Sequence, residues 1–252
     1  MTRRFGILGA ATTMMTLALA ACHDPAGIDE TPSITELPRQ LSASETEVIR
    51  ASNRFAFDLA GRISHPDSSF FVSPLSASMT LGMILNGADG ETHAQMTDVL
   101  GFSGLPEEEV NGSYESLIEL LTGLDPTVEM TIGNAVWLRD GFGVLPSFRD
   151  RVREFFGARV ESLDFSAPSA TETINGWASD ATNGRIEEIV EPPIPPNIVA
   201  FLMNAIYFKG TWTTQFDPDD TAPAPFHLPD GTTTEVPMME ARDVQARMNG
   251  TR

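Results

Sequence analysis

The chain has 252 residues, of which 41% are hydrophobic and 20% charged. That is an ordinary globular composition, and it excludes disordered, collagen-like and coiled-coil classes. Acidic residues outnumber basic ones 35 to 16, a net charge of −19, and so acidic a chain repels phosphate backbones and disfavours nucleic acid as a partner. The one cysteine, Cys22, excludes an internal disulfide and a cysteine-based zinc site.

The N-terminus reads as an address. Arg3 and Arg4 form a short basic start, and Phe5 to Ala21 carry no charge. Small residues then lead to Cys22, the order of a secretory signal. The apolar run sits near the lower limit for a spanning helix and contains Thr and Gly, so a membrane span is the weaker alternative. Leu19-Ala20-Ala21-Cys22 resembles the bacterial lipoprotein box. That resemblance implies cleavage before Cys22 and lipid attachment on its sulfur. The organisation expected is a signal over 1–21, a flexible tether over 22–43 and a folded domain over 44–252. The tether contains Pro25, Pro32 and Pro38 and few apolar residues to offset ordering entropy.

Along the domain, Ser44 and Glu47 have capping-box spacing, and Val48, Ala51, Phe55, Leu59 and Ile63 follow at helical intervals. Phe70 to Val72 reads as a short strand. Ser73-Pro74 then opens a helix over Leu75–Asn86 that is apolar nearly all round, so it should be buried. Helices are expected over Glu91–Leu100, closed by Gly101, and over Glu107–Leu121, whose Glu107, Glu108 and Glu109 suit a first turn. Val128–Leu138 alternates, with Val128, Met130, Ile132, Val136 and Leu138 on one face of a strand. A helix over Phe148–Phe156, a strand over Val160–Phe165 and a helix over Thr171–Thr182 come next. Ile198–Phe208 is apolar except at Asn204, which fits a strand covered on both faces and implies a buried polar network. Asp230-Gly231 marks a hairpin between Phe226 and Val236. The mixture indicates an α+β architecture.

Catalytic patterns do not emerge. There is no Gly-x-Ser-x-Gly elbow, no His-Glu-x-x-His and no phosphate-binding glycine loop. His23, His65, His93 and His227 are scattered, and no cofactor or metal is expected. Asn111-Gly112-Ser113 matches a glycosylation sequon but carries little weight. The chemistry does not point to an enzyme.

A series of runs, in order, resembles the serpin family of protease inhibitors. They include Asn53-Arg54-Phe55-Ala56-Phe57-Asp58-Leu59, Phe71-Val72-Ser73-Pro74-Leu75-Ser76 and Asn86-Gly87-Ala88-Asp89-Gly90-Glu91-Thr92. Asn134-Ala135-Val136-Trp137-Leu138, Thr182-Asn183-Gly184-Arg185-Ile186 and Asn204-Ala205-Ile206-Tyr207-Phe208-Lys209-Gly210-Thr211-Trp212 continue the series, which ends near Val236-Pro237-Met238-Met239. The resemblance implies a fold of many helices and three β-sheets. It also implies suicide inhibition of serine proteases, and in some members cysteine proteases, by a cleaved reactive loop that inserts into the central sheet. By motif, Ser73, Ser76 and Asn204 match the family's shutter, a polar network where that sheet opens, and Trp212 matches the breach, where insertion begins. None of these residues is catalytic.

The matching runs stop near Met239, and no reactive loop follows, so the domain over 44–252 is expected to be an incomplete serpin domain. A fragment of a longer reading frame is the favoured expectation, with a truncated protein as the alternative. The expected setting is extracytoplasmic and membrane-anchored through Cys22, or else secreted. A non-inhibitory, serpin-like surface binding or structural lipoprotein is the competing function, and a hydrolase is a distant third.

Overall fold

The computed structural model describes residues 34, 36–65, 69–212 and 215–240. Cys22 and the signal lie outside these residues. The described elements are α1 (Ala43–Ile63), α2 (Pro74–Leu85), α3 (Gly90–Leu100), α4 (Glu107–Gly123), β1 (Glu129–Arg139), α5 (Pro146–Phe156), β2 (Arg159–Leu163), α6 (Pro168–Ala181), β3 (Ala200–Lys209), β4 (Ala222–His227) and β5 (Thr233–Met238). They form a three-stranded sheet in the order β2-β1-β3 and a separate β4-β5 ribbon. β1 runs parallel to β2 and antiparallel to β3. The α+β class holds.

Strand alternation sorts the three-stranded sheet into two covered faces. On one, Ile132, Val136, Leu138 and Leu202 pack on α1, α2, α4 and α5 through Val48, Met79, Met83, Tyr114 and Phe156. On the other, Ala135, Trp137 and Met203 meet α6 and the segment leading into β3, through Ile174, Val190 and Ile194. The sequence alternation marks one apolar face of β1; the residues between, Ala135 and Trp137, are equally buried under α6. α2 owes its burial to small residues as well as apolar ones. A Cβ on Gly82 would come within 2.9 Å of the Tyr114 ring, so only glycine lets α4 approach so closely. The Tyr114 hydroxyl shares a 2.7 Å hydrogen bond with Ser78 Oγ and donates to the Ser78 carbonyl at 3.1 Å. Burial pushes its pKa up to about 12.

Two local expectations change. The helix cap is Ser42, not Ser44: Ser42 Oγ accepts from Glu45 N at 3.0 Å, and Glu45 accepts from Ser42 N at 2.6 Å. Both frames have Ser-x-x-Glu spacing, but only Glu45 is also held by Arg39, in a bidentate pair at 2.5 and 2.9 Å. Arg39 further donates to Ser116 Oγ at 2.7 Å, so the residues just before α1 are pinned to α4. Phe70–Val72 forms no strand, since an extended segment needs a neighbour to pair with and none lies beside it among the described residues. Phe71 is 99% exposed there.

The Arg39 contact predicts a pH dependence. Hydrogen bonds from the Arg39 guanidinium hold the Glu45 carboxyl down at about 2, from an ordinary value of 4.5. A carboxylate with a depressed folded pKa contributes stability that is complete above its unfolded pKa and lost as pH falls through the folded one. The loss should therefore run from about pH 4.5 to about pH 2. It should amount to about 1–2 kcal/mol, because the partly open Arg39 is screened by solvent. Urea titrations of wild type and Glu45→Gln should converge at the acid end of that window and separate above it.

Candidate conformational site

The register of β1 and β3 sets Asn134 directly opposite Asn204. Opposed residues point to the same face, here the face that carries Val136 and Leu202 towards α2. Polar amides at core-facing positions need partners, and the structure supplies them in a directed chain. Ser76 Oγ donates to Asn204 Oδ1. Asn204 Nδ2 donates to Asn134 Oδ1 at 2.9 Å and lies 3.7 Å from Met79 Sδ. Asn134 Nδ2 donates to the carbonyl of Phe156 at 2.9 Å, satisfying one of the orphan acceptors at the end of α5. Four elements, α2, β3, β1 and α5, are thus joined by one line of hydrogen bonds.

The four motif residues distribute unevenly around this line. Ser76 and Asn204 are in direct contact. Ser73 is one step removed: it is the N-cap of α2, accepting from Ser76 N at 3.3 Å, and so fixes the turn that aims Ser76. Trp212 is not part of the chain of bonds; it is 72% exposed and meets Phe216 edge-on at 6.3 Å. Asn134 is the member that motif reading missed. Its signal lies in the alternation, because the stripe Met130, Ile132, Val136, Leu138 skips the one core-facing position that Asn134 fills. Asn134 is 3% exposed.

Other polar residues are held structurally. His93 Nε2 lies 3.0 Å from Glu107 Oε2, and Glu107 also pairs with Arg151 at 2.6 Å, tying α3, α4 and α5 together. Asn111 of the sequon is 2% exposed and exchanges amide hydrogen bonds with Asn86 at 2.8 and 2.9 Å, so it cannot receive a glycan in this fold. Beside this line of hydrogen bonds, Val136 and Leu202 line an open cleft of about 480 Å³. Thr92 is its one polar side chain, which leaves it little means of orienting a charged ligand. No group of potential metal ligands occurs among the described residues, and no described helix is long and apolar enough to cross a membrane.

The arrangement joins the sheet to α2 and α5 by side-chain hydrogen bonds, and it contains no nucleophile paired with a base. A family model described as Serpin (serine protease inhibitor) matches residues 50–251. The chain belongs to the serpin family. It is 36% identical over 221 residues to corticosteroid-binding globulin of Oryctolagus cuniculus, covering 86% of this chain and 55% of that one. It is 28% identical over 233 residues to a serine protease inhibitor of Mus musculus, covering 90% of this chain and 52% of the relative. The structure of reactive-loop-cleaved human thyroxine-binding globulin superposes with a TM-score of 0.71 at 31% identity, over 78% of this chain and 60% of that structure. This serpin chain spans about half the length of the curated relatives it matches.

Proposed function

We propose that this chain is the latch-bearing, N-terminal part of an inhibitory serpin that traps serine proteases, with cysteine proteases as a second target class. In this reading a protease cuts a reactive loop supplied by a further C-terminal segment, forming an acyl-enzyme. The cut loop then enters the sheet beside β3, and the protease is distorted before it deacylates. The protein acts by released strain and uses no cofactor. The observation that carries the reading is the Ser76–Asn204–Asn134 line. It ties β3 to β1 and α2 through side chains that can exchange partners, whereas a purely apolar seam would hold the strands by packing alone. The apolar run of β3 also supports it, since such a strand belongs inside a sheet rather than at its edge.

The N-terminal run up to Cys22 supports a location outside the cytoplasm. Cleavage before Cys22 and acylation of its sulfur would anchor the domain at a membrane surface, and secretion without lipid is the alternative. Labelling with radioactive palmitate should appear on the wild type and vanish from Cys22→Ser; label that survives the substitution would reject the anchor.

A second reading, a non-inhibitory serpin that binds a ligand or serves structurally, is favoured by one observation: the relative at 36% identity is named corticosteroid-binding globulin. The two readings separate on one experiment. The longer protein is incubated with a panel of serine proteases and run under denaturing conditions. A protease–serpin band that survives SDS supports inhibition; clean cleavage of the serpin with an active protease left behind supports the second reading.

A further inference from the structure

Four Asn-Gly pairs lie among the described residues, at 86–87, 111–112, 175–176 and 183–184. Such pairs share a reaction. The glycine nitrogen attacks the Asn side-chain carbonyl carbon, the new C–N bond closes a succinimide ring, and the Cγ–Nδ2 bond breaks. Ammonia leaves, carrying the glycine amide proton. Water then opens either carbonyl to give aspartate or isoaspartate. The local chain must be free to fold into the ring, and the fold grants that freedom very unequally.

Three pairs are locked. Asn86 donates to Gly82 O at 2.9 Å and exchanges two amide hydrogen bonds with Asn111. Asn111 is buried inside α4. Asn175 lies inside α6, its Oδ1 accepting from Ile189 N and Val190 N at 3.0 Å and its Nδ2 donating to Val190 O at 2.9 Å. The fourth pair differs. Asn183 is exposed, sits just past the end of α6 and has φ of +49°, the one non-glycine residue with positive φ among those described. Its glycine nitrogen is held by a single bond, Gly184 N to Ser179 O at 2.8 Å. That bond closes the last turn of a helix, and such turns open at far lower free energy than helix interiors.

Asn183 also does something in the fold. Its Nδ2 donates to Glu129 Oε1 at 2.6 Å, linking the end of α6 to the start of β1. The neighbouring link is Thr131 Oγ1 to Ala181 O at 3.2 Å. Deamidation replaces the donor by a carboxylate, so the link to Glu129 is lost and two like charges face each other. The isoaspartate product further adds a methylene to the backbone at the turn that ends α6. We propose that Asn183 is a deamidation site, and that its conversion releases the C-terminal end of α6 from β1 as a slow, irreversible covalent switch.

The test is peptide mapping of the full chain aged in mildly alkaline buffer, with isoaspartate scored at each Asn-Gly pair. A parallel sample is aged in urea. In urea the four pairs should react at comparable rates. In the folded chain Asn183 should react many-fold faster than Asn86, Asn111 and Asn175, and Asn183→Gln should remove that signal alone. Equal rates at the four sites in native buffer, or an inert Asn183 that reacts only in urea, would overturn the site. The switch has its own readout, since Asn183→Asp reproduces one product. It should speed amide exchange several-fold over Ser179–Thr182, and unchanged exchange there would overturn the release.

Discussion

Trp137→Ala is expected to destabilise the domain by about 3–5 kcal/mol, the usual cost of emptying a fully buried indole site, measured as a fall in the urea midpoint. Trp137 is 0% exposed and fills the space between β1 and α6. Trp177 meets its ring edge-on at 6.2 Å, and the Arg159 guanidinium lies 4.9 Å from its centroid. Those neighbours come from α6 and β2, so the cavity could close only by moving whole elements. Yet the indole is imperfectly satisfied: Trp137 Nε1 is buried without a hydrogen-bond partner. An orphaned buried donor costs about 1–3 kcal/mol. Trp137→Phe therefore loses some volume but removes that penalty, and the two effects should leave it within about 1.5 kcal/mol of wild type. If phenylalanine proves as damaging as alanine, the packing of the six-membered ring alone does not account for the site.

Asn204→Ala is expected to cost about 2–4 kcal/mol, because it takes a bond from two partners at once. Asn134 Oδ1 loses its donor, and Ser76 Oγ loses its nearer acceptor and keeps only the backbone carbonyl of residue 204 at 3.4 Å; a lost bond of this kind is worth about 1–2 kcal/mol. Ser76→Ala alone removes only one end of the line and should cost about half as much. A double-mutant cycle between the two positions should return a coupling energy of about 0.5–3 kcal/mol. Additive effects would mean that Ser76 and Asn204 do not act as one unit. Asn134→Ala should also expose the Phe156 carbonyl as an uncapped acceptor at the end of α5, so its effect should match or exceed that of Ser76→Ala.

Helix starts and stops are legible in the sequence wherever a local rule fixes them. Ser73-Pro74 opens α2, and Gly101, with φ of +76°, closes α3. The cap of α1 is ambiguous in the sequence because Ser42 and Ser44 both offer the required spacing. The residue that decides between them, Arg39, acts through a tertiary contact to Ser116 of α4. Phe70–Val72 has strand composition, but composition supplies no pairing partner. The latch is half legible. Asn204 interrupts an apolar run and therefore stands out, and Ser76 follows from the family motif. Asn134 becomes significant only once the β1–β3 register places it opposite Asn204. Its acceptor, the Phe156 carbonyl, is the end of a helix 22 residues away, a relation that no spacing rule encodes. Trp212 matches a family motif, yet in the described structure it stands apart from the latch, with Phe216 as its aromatic contact.

If the chain belongs to a protein that stores strain across a latched sheet and releases it on loop cleavage, as proposed, the stored strain can be measured directly. The measurement is the thermal melt of the longer serpin before and after a single protease cut in its reactive loop, with the fragments kept together. A large rise in melting temperature is expected after the cut, because the freed strand joins the sheet beside β3. A melt that stays where it was, or falls, would contradict the proposal.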